Sequence, residues 1–224
     1  MAARGSRRWC PDDEIDASLS QGSFIEHVSW FDADPFQIHL TGVDIDTEMI
    51  RIGKTWFGLD DKQSTCLIAD GIQYLRQQVE DKGSDLLQTI VLRSLAAHSV
   101  SYDVIVFDVD NDDNQSPLRC PHPVFIEHAV LQHVRQLLSG ESGLFVLNFA
   151  TRDQTSRYRD ECLTALSANF DHLSTIKVED DINEIMLASQ GTLDGVQSNE
   201  ELFDKNLSTD FDTAEVLSKL KIEK

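Results

Sequence analysis

Three short apolar runs in this chain each close on an acid: IHLTGVD on Asp44, TCLIAD on Asp70 and YDVIVFD on Asp108. Runs of this length bounded by turn signals read as buried strands. Val104 to Phe107 is continuously apolar, which predicts a central parallel strand covered on both faces, and Gly143 to Phe149 reads as a second such strand. Ligands of open α/β sheets sit beyond the carboxyl ends of parallel strands, so acids delivered there belong to a site rather than to a solvated face.

The stretches between these strands carry helical spacing. Phe24, Ile25, Val28, Trp30 and Phe31 suggest a helix halted by Asp34-Pro35. A strand is expected from Gln37 to Val43, and Asp46 or Thr47 can cap a helix through Met49, Ile52 and Trp56 that stops near Gly58. Thr65 to Ala69 reads as a strand, and Gly71 opens a helix through Val79. DKGSD then marks a turn, followed by an additional helix over DLLQTIVLRSLAAH. After Val104–Phe107 come a proline-rich loop (Pro117, Pro121, Pro123), a helix from Phe125 to Leu138 and the second apolar strand. A helix from Arg157 to Asn169 precedes two β-like stretches, Leu173–Val178 and Asn183–Ala188, close enough to pair antiparallel.

This order predicts an α/β, doubly wound, Rossmann-like sheet of the methyltransferase type. It should be mostly parallel, with an antiparallel C-terminal strand pair and a degraded or missing first strand. Residues 1–20 form an atypical N-terminal segment, 21–190 the domain, and 191–224 a linker with a terminal helix from about Asp210.

A chain of 224 residues suits one such domain, and the formal charge of −20 separates it from ordinary globular proteins. Phosphate backbones and anionic membranes need Lys and Arg, so nucleic-acid and membrane partners are not expected. No apolar run approaches spanning length. Four scattered cysteines without a CxxC pair fit a reduced, intracellular setting, here taken as cytoplasmic. The sequence has no GxSxG elbow and no GxxxxGK[ST] loop, and His122, His128 and His133 read as surface or loop residues rather than metal ligands.

Asp44 sits where a carboxylate accepts hydrogen bonds from ribose hydroxyls, and Asp46 is the better helix cap. Gly22 lies upstream, where a glycine-rich turn should end. Asp70 in ADG can accept from an exocyclic amino group while Gly71 permits close packing. The alternative for Asp70 is a cap on the next helix, and both can hold. Asp108, partly buried at a strand tip, would hold an amine nucleophile, help remove its proton and align attack. Asp110 and Asn111 follow as substrate contacts or as parts of a solvated loop.

VDID, WFG, IADGIQYL, YDVIVFDVD, CPHPVFIEHAVLQHV, GLFVLNF and NEIMLAS, in that order, resemble the methyltransferase-like protein 13 family, over roughly Gly22 to Ser189. The resemblance is to the carboxy-terminal domain of that dual methyltransferase of elongation factor 1-alpha, which has a spermidine-synthase-like fold. It implies S-adenosylmethionine as cofactor and methyl transfer to a protein with an exposed amine, an α-amino terminus or a lysine, elongation factor 1-alpha being the implied partner. By matching position, Asp44 with Ile45 would bind the ribose side, Asp70 with Gly71 the adenine, and Asp108 would take the catalytic aspartate's place. The family's apolar first strand and glycine-rich loop correspond here to EIDASLSQGS, of which only Gly22 and Ser23 match. Two further readings follow from that departure: a truncated or non-catalytic relative that binds basic partners, and a polyamine aminopropyltransferase. The run DVDNDD departs from the DSSDP-like stretch expected of the latter.

Overall fold

The computed structural model describes residues 40–59, 61, 64–91, 101–111, 113, 115–178, 181–192 and 219–224. The expected helix over residues 24–31, Gly22 and the N-terminal segment lie outside the described residues. Strand β1 (Leu40–Asp44) runs parallel to β2 (Ser64–Ile68), joined by helix α1 (Thr47–Trp56). Helix α2 (Gly71–Val91) leads on towards β3 (Val104–Phe107), and β4 (Leu118–Cys120), α3 (His128–Leu137) and β5 (Leu144–Thr151) follow. Helix α4 (Arg157–Ser167), β6 (His172–Lys177), β7 (Asn183–Ser189) and β8 (Leu220–Ile222) complete the order. The described strands lie in two sheets: β1-β2, and β3-β5-β7-β6-β8 with β4 added to β5.

The expected α/β architecture is present, with its sheet mixed. β3 and β5 are parallel, and β5, β7, β6 and β8 pair antiparallel in turn. Antiparallel pairing therefore reaches beyond the expected C-terminal pair. Strand β8 also corrects the reading of the chain end: residues 220–222 extend the sheet on β6 instead of continuing a helix, and the unit does not stop at residue 190. Residues 210–218 lie outside the described residues.

The core forms where α3 crosses the sheet. Leu131, Val134 and Leu137 recur at helical spacing on one face of α3 and are wholly buried. They meet Phe145, whose ring packs edge-on to Phe107 at 4.9 Å and stacks on Phe170 at 5.7 Å. Each such buried side chain contributes about 1.5–3 kcal/mol of transfer free energy.

Two sequence expectations fail for identifiable reasons. DKGSD does not turn: α2 runs unbroken through it. A helical glycine costs only about 1 kcal/mol relative to alanine, and α2 is held along α3, where Lys82 Nζ donates to the Gln136 carbonyl at 2.7 Å. Strand β3 is not buried on both faces. Ile105 and Phe107 face the core, whereas Val104 and Val106 are 51% and 37% exposed. Apolar periodicity reports what a strand can tolerate, not whether a neighbour covers it. WFG, in turn, is a helix terminus: Phe57 N–H returns to the Gly53 carbonyl, and Gly58 at φ 71° lets Leu59 N–H reach the same oxygen.

Strand β8 is pinned by charge. Arg159 on α4 donates from Nη2 to Glu184 on β7 at 2.6 Å and to Glu223, just past β8, at 2.7 Å. Lys221 adds a 2.8 Å bond to Glu223. These partners, Lys221 and then Arg159, hold the Glu223 carboxyl down at about 2. A depressed folded-state pKa gives stability that is complete above the unfolded value and lost as pH falls through the folded one. Stability against thermal unfolding should therefore fall as pH drops from about 4.5 to about 2, and Glu223→Gln should flatten that window while costing on the order of 1–2 kcal/mol at neutral pH.

Candidate functional site

The three strand-end acids are brought together by a chain of contacts. β1 and β2 are in register so that Asp44 pairs with Ile68, and Ala69 N–H donates to the Asp44 carbonyl at 3.0 Å. One residue on, Asp70 caps α2: its Oδ1 accepts from the backbone N–H groups of Ile72 and Gln73, both at 2.9 Å. Gly71 lies under Phe125, whose ring is 3.6 Å from where a Cβ on residue 71 would stand. Phe125 packs edge-on to Phe107 with centroids 5.3 Å apart, and Asp108 follows Phe107. The end of β1 thus lies beside that of β2, and Gly71, the residue after Asp70, meets the end of β3 through Phe125.

Each acid has a distinct environment. Asp46 takes the cap of α1, accepting from Glu48 N–H at 2.8 Å. Asp44 is left with the Asp46 N–H at 2.7 Å, so its carboxylate is oriented without being consumed by the helix. Burial pushes the Asp44 carboxyl above its ordinary value, with the Asp46 charge adding to the rise and the Asp46 amide opposing it. Ile45, next along, is 72% exposed, and Ile68 is 58% exposed. These are large apolar side chains at the rim of the acids, suited to the face of a planar or ribose-bearing ligand. A Cβ at Gly71 would make ordinary van der Waals contact with Phe125, so packing alone does not demand glycine there.

Asp108 is the most firmly held. Asn148 on β5 donates from Nδ2 to Asp108 Oδ1 at 2.7 Å, and Cys120 Sγ lies 3.9 Å from the same oxygen. The Cys120 thiol donates to the Asn148 carbonyl at 3.1 Å, and burial, followed by the nearby Asp108 and Asp110 charges, pushes its pKa well up. It is a neutral packing group, not a nucleophile. Asn148 Oδ1 is buried without a hydrogen-bond partner in the described structure. An asparagine within an otherwise apolar central strand is the signal that would have marked Asn148 in the sequence, since buried polar groups need a partner.

The expected substrate contacts divide. Asn111 is only 3% exposed. Its Nδ2 donates to the Leu118 carbonyl at 3.0 Å and its Oδ1 accepts from Asp113 N–H at 3.2 Å. The side chain braces the loop between β3 and β4, the second of the two readings given for this stretch. Asp110, partly buried, stays beside Asp108 in the same segment. The proline-rich stretch was expected as loop, yet it carries β4 and the short turn Pro123–Ile126, capped by His122 Nδ1 accepting from Val124 N–H at 3.4 Å. That turn is what presents Phe125.

Comparison with known proteins decides the family. No family profile matches the chain. The mouse eEF1A lysine and N-terminal methyltransferase is 33% identical over 149 residues, 66% of this chain and 18% of that protein. The Drosophila melanogaster homologue is 30% identical over 175 residues, 77% of this chain and 22% of that protein. The solved structure of human methyltransferase-like protein 13 in complex with SAH superposes with a TM-score of 0.64 at 28% identity, covering 89% of this chain and 84% of that one. The chain belongs to the methyltransferase-like protein 13 family. It spans about a fifth of the length of the curated relatives it matches.

The double duty of Asp70 is separable. Asp70→Ala should destabilise the fold by about 1 kcal/mol through loss of the cap, as read by urea unfolding. Asp70→Asn should keep the cap and the stability, so any weakening of ligand binding in that variant isolates the carboxylate charge.

Proposed function

We propose that this chain is a protein N-methyltransferase domain that uses S-adenosylmethionine, with Asp108 addressing the acceptor amine. The observation that supports the reading is the run of contacts through Phe125 that links the strand ends next to Asp70 and Asp108, with the Asp44 end paired beside β2, in a chain that superposes on a methyltransferase solved with SAH. The donor set fits the nucleoside half of such a cofactor. Asp44 offers a partly buried carboxylate at a strand end for ribose hydroxyls, Ile45 and Ile68 offer apolar surface, and Asp70 has its Oδ1 committed to the helix cap. The methionine half would fall to the segment around Gly22, outside the described residues. When bound, the cofactor supplies a methyl group activated by its sulfonium.

The chain's own work is then to present a neutral amine. Asp108 accepts a hydrogen bond from the incoming nitrogen, aligns its lone pair and receives or relays its proton. Such positioned acid–base assistance contributes about 100- to 10,000-fold. Asn148 keeps the Asp108 carboxylate in one rotamer by donating to Oδ1, a positioning role exerted through another residue. The charge of −20 favours a cationic protein surface over nucleic acid. We extend the acceptor to the amino terminus or a lysine of elongation factor 1-alpha, on the strength of the relatives' names, and its compartment to the cytoplasm.

The full chain incubated with labelled S-adenosylmethionine and recombinant elongation factor 1-alpha should transfer label to the factor. Asp108→Asn should lower kcat by about 100-fold or more with cofactor affinity unchanged. Asn148→Ala should lower kcat less, leave cofactor affinity intact and shift the acidic limb of the pH–rate profile. Absence of label in the factor with the unaltered chain, or equal rates for Asp108→Asn, would overturn the reading.

A further inference from the structure

The side chain of Asn148 is satisfied at only one of its two ends. Its Nδ2 donates to Asp108 Oδ1 at 2.7 Å, while its Oδ1 is buried without a hydrogen-bond partner among the described residues. Chemistry sets this orientation of the amide. A carboxylate accepts and does not donate, so the nitrogen has to face Asp108 and the oxygen has to face elsewhere.

The ladder between β3 and β5 explains why the two side chains meet. Phe107 pairs in parallel with Leu147, and both are buried in the core. Side chains alternate along a strand, so the next residues, Asp108 and Asn148, turn together to the opposite face. Asn148 also stands opposite Ile185 on β7, and Val106 and Val146 precede the pair on that same face. None of these three side chains carries a donor. A carbonyl oxygen withdrawn from water without a donor bears the full cost of its lost hydration. In a native structure such an orphan marks a group that something else completes.

Under the methyl-transfer reading, on which this inference rests, the missing donor arrives with the acceptor. A neutral primary amine keeps its lone pair for the methyl group and has two N–H bonds left, one of which goes to Asp108. We propose that Asn148 Oδ1 accepts the other, so that Asn148 counts hydrogens on the acceptor nitrogen and favours an amine that carries no methyl group. Each transfer replaces one N–H by N–CH3, the displaced proton leaving by way of Asp108. A monomethylated nitrogen then serves Asp108 alone, and a dimethylated one serves neither residue. A site built to bond a substrate N–H discriminates against analogues that lack it, because its own polar group is left unpaired. Asn148 thereby has two roles, holding Asp108 with its nitrogen and reading the substrate with its oxygen.

The test follows recombinant elongation factor 1-alpha, unmethylated at the start, through its successive methyl states by mass spectrometry. The full chain is compared with Asn148→Ala and with Asn148→Leu, which keeps the side-chain volume should the alanine variant fail to fold. The rate ratio of first to second transfer should fall about threefold to tenfold in either variant, the worth of one hydrogen bond. An equal loss at both steps would overturn the proposal, because a residue that only holds Asp108 slows both alike. A second readout needs no cofactor. In calorimetry the ammonium of the monomethylated factor, with two N–H groups, should bind the unaltered chain about threefold more tightly than the dimethylated form, with one. Asn148→Ala should remove that difference, and equal affinities in the unaltered chain would overturn the proposal. Normal transfer with an unchanged ratio defeats this inference alone, whereas no transfer by the unaltered chain defeats the enzymatic reading and this inference with it.

Discussion

Phe125 sets its ring edge-on against Phe107 and over Gly71, and that contact, with the packing of α2 along α3, relates the β1-β2 unit to the main sheet. Among the described residues no ladder hydrogen bonds join the two sheets, and side-chain packing links them. Aromatic edge-to-face pairs add about 0.5–1.5 kcal/mol beyond their buried area, and their preferred geometry fixes an orientation as well as an energy. The Phe125 contact ties the start of α2, next to Asp70, to the end of β3, next to Asp108, while Leu75 and the Lys82–Gln136 bond hold the rest of α2 against the core.

Around that contact the acids are differentiated by what already uses them. Asp46 and Asp70 satisfy helix N-termini, which orphan N–H groups require. Asp44 is oriented by turn amides and lifted in pKa by burial, while Asp108 is anchored to the main sheet through Asn148. A site that must hold a neutral ligand group at one acid and an amine at another needs this inequality. A cluster of equally solvated carboxylates would not provide it.

Much of this was legible in the chain because strand-end acids and amphipathic helices leave local patterns. The division of labour between Asp44 and Asp46 followed from capping chemistry, and the antiparallel pairing of β6 and β7 from the short connection between them. What stayed hidden is set by tertiary contact. The run through Gly83 stays helical because α2 lies along α3. Val104 and Val106 are exposed because no described neighbour covers them. Asn111 braces a loop through partners at Leu118 and Asp113. Strand β8 is held by Arg159 and Glu223, which are 64 residues apart in sequence.

The central claim is that one ligand engages the ends of all three strands together. Hydrogen exchange of the full chain with and without S-adenosylhomocysteine tests it most directly. The account predicts slowing at residues 44–46 and 70–73 in a single saturable transition, with a smaller effect at 108–110, and loss of that coupling in Phe125→Ala. Slowing confined to one strand end, or none at saturating ligand, would contradict it.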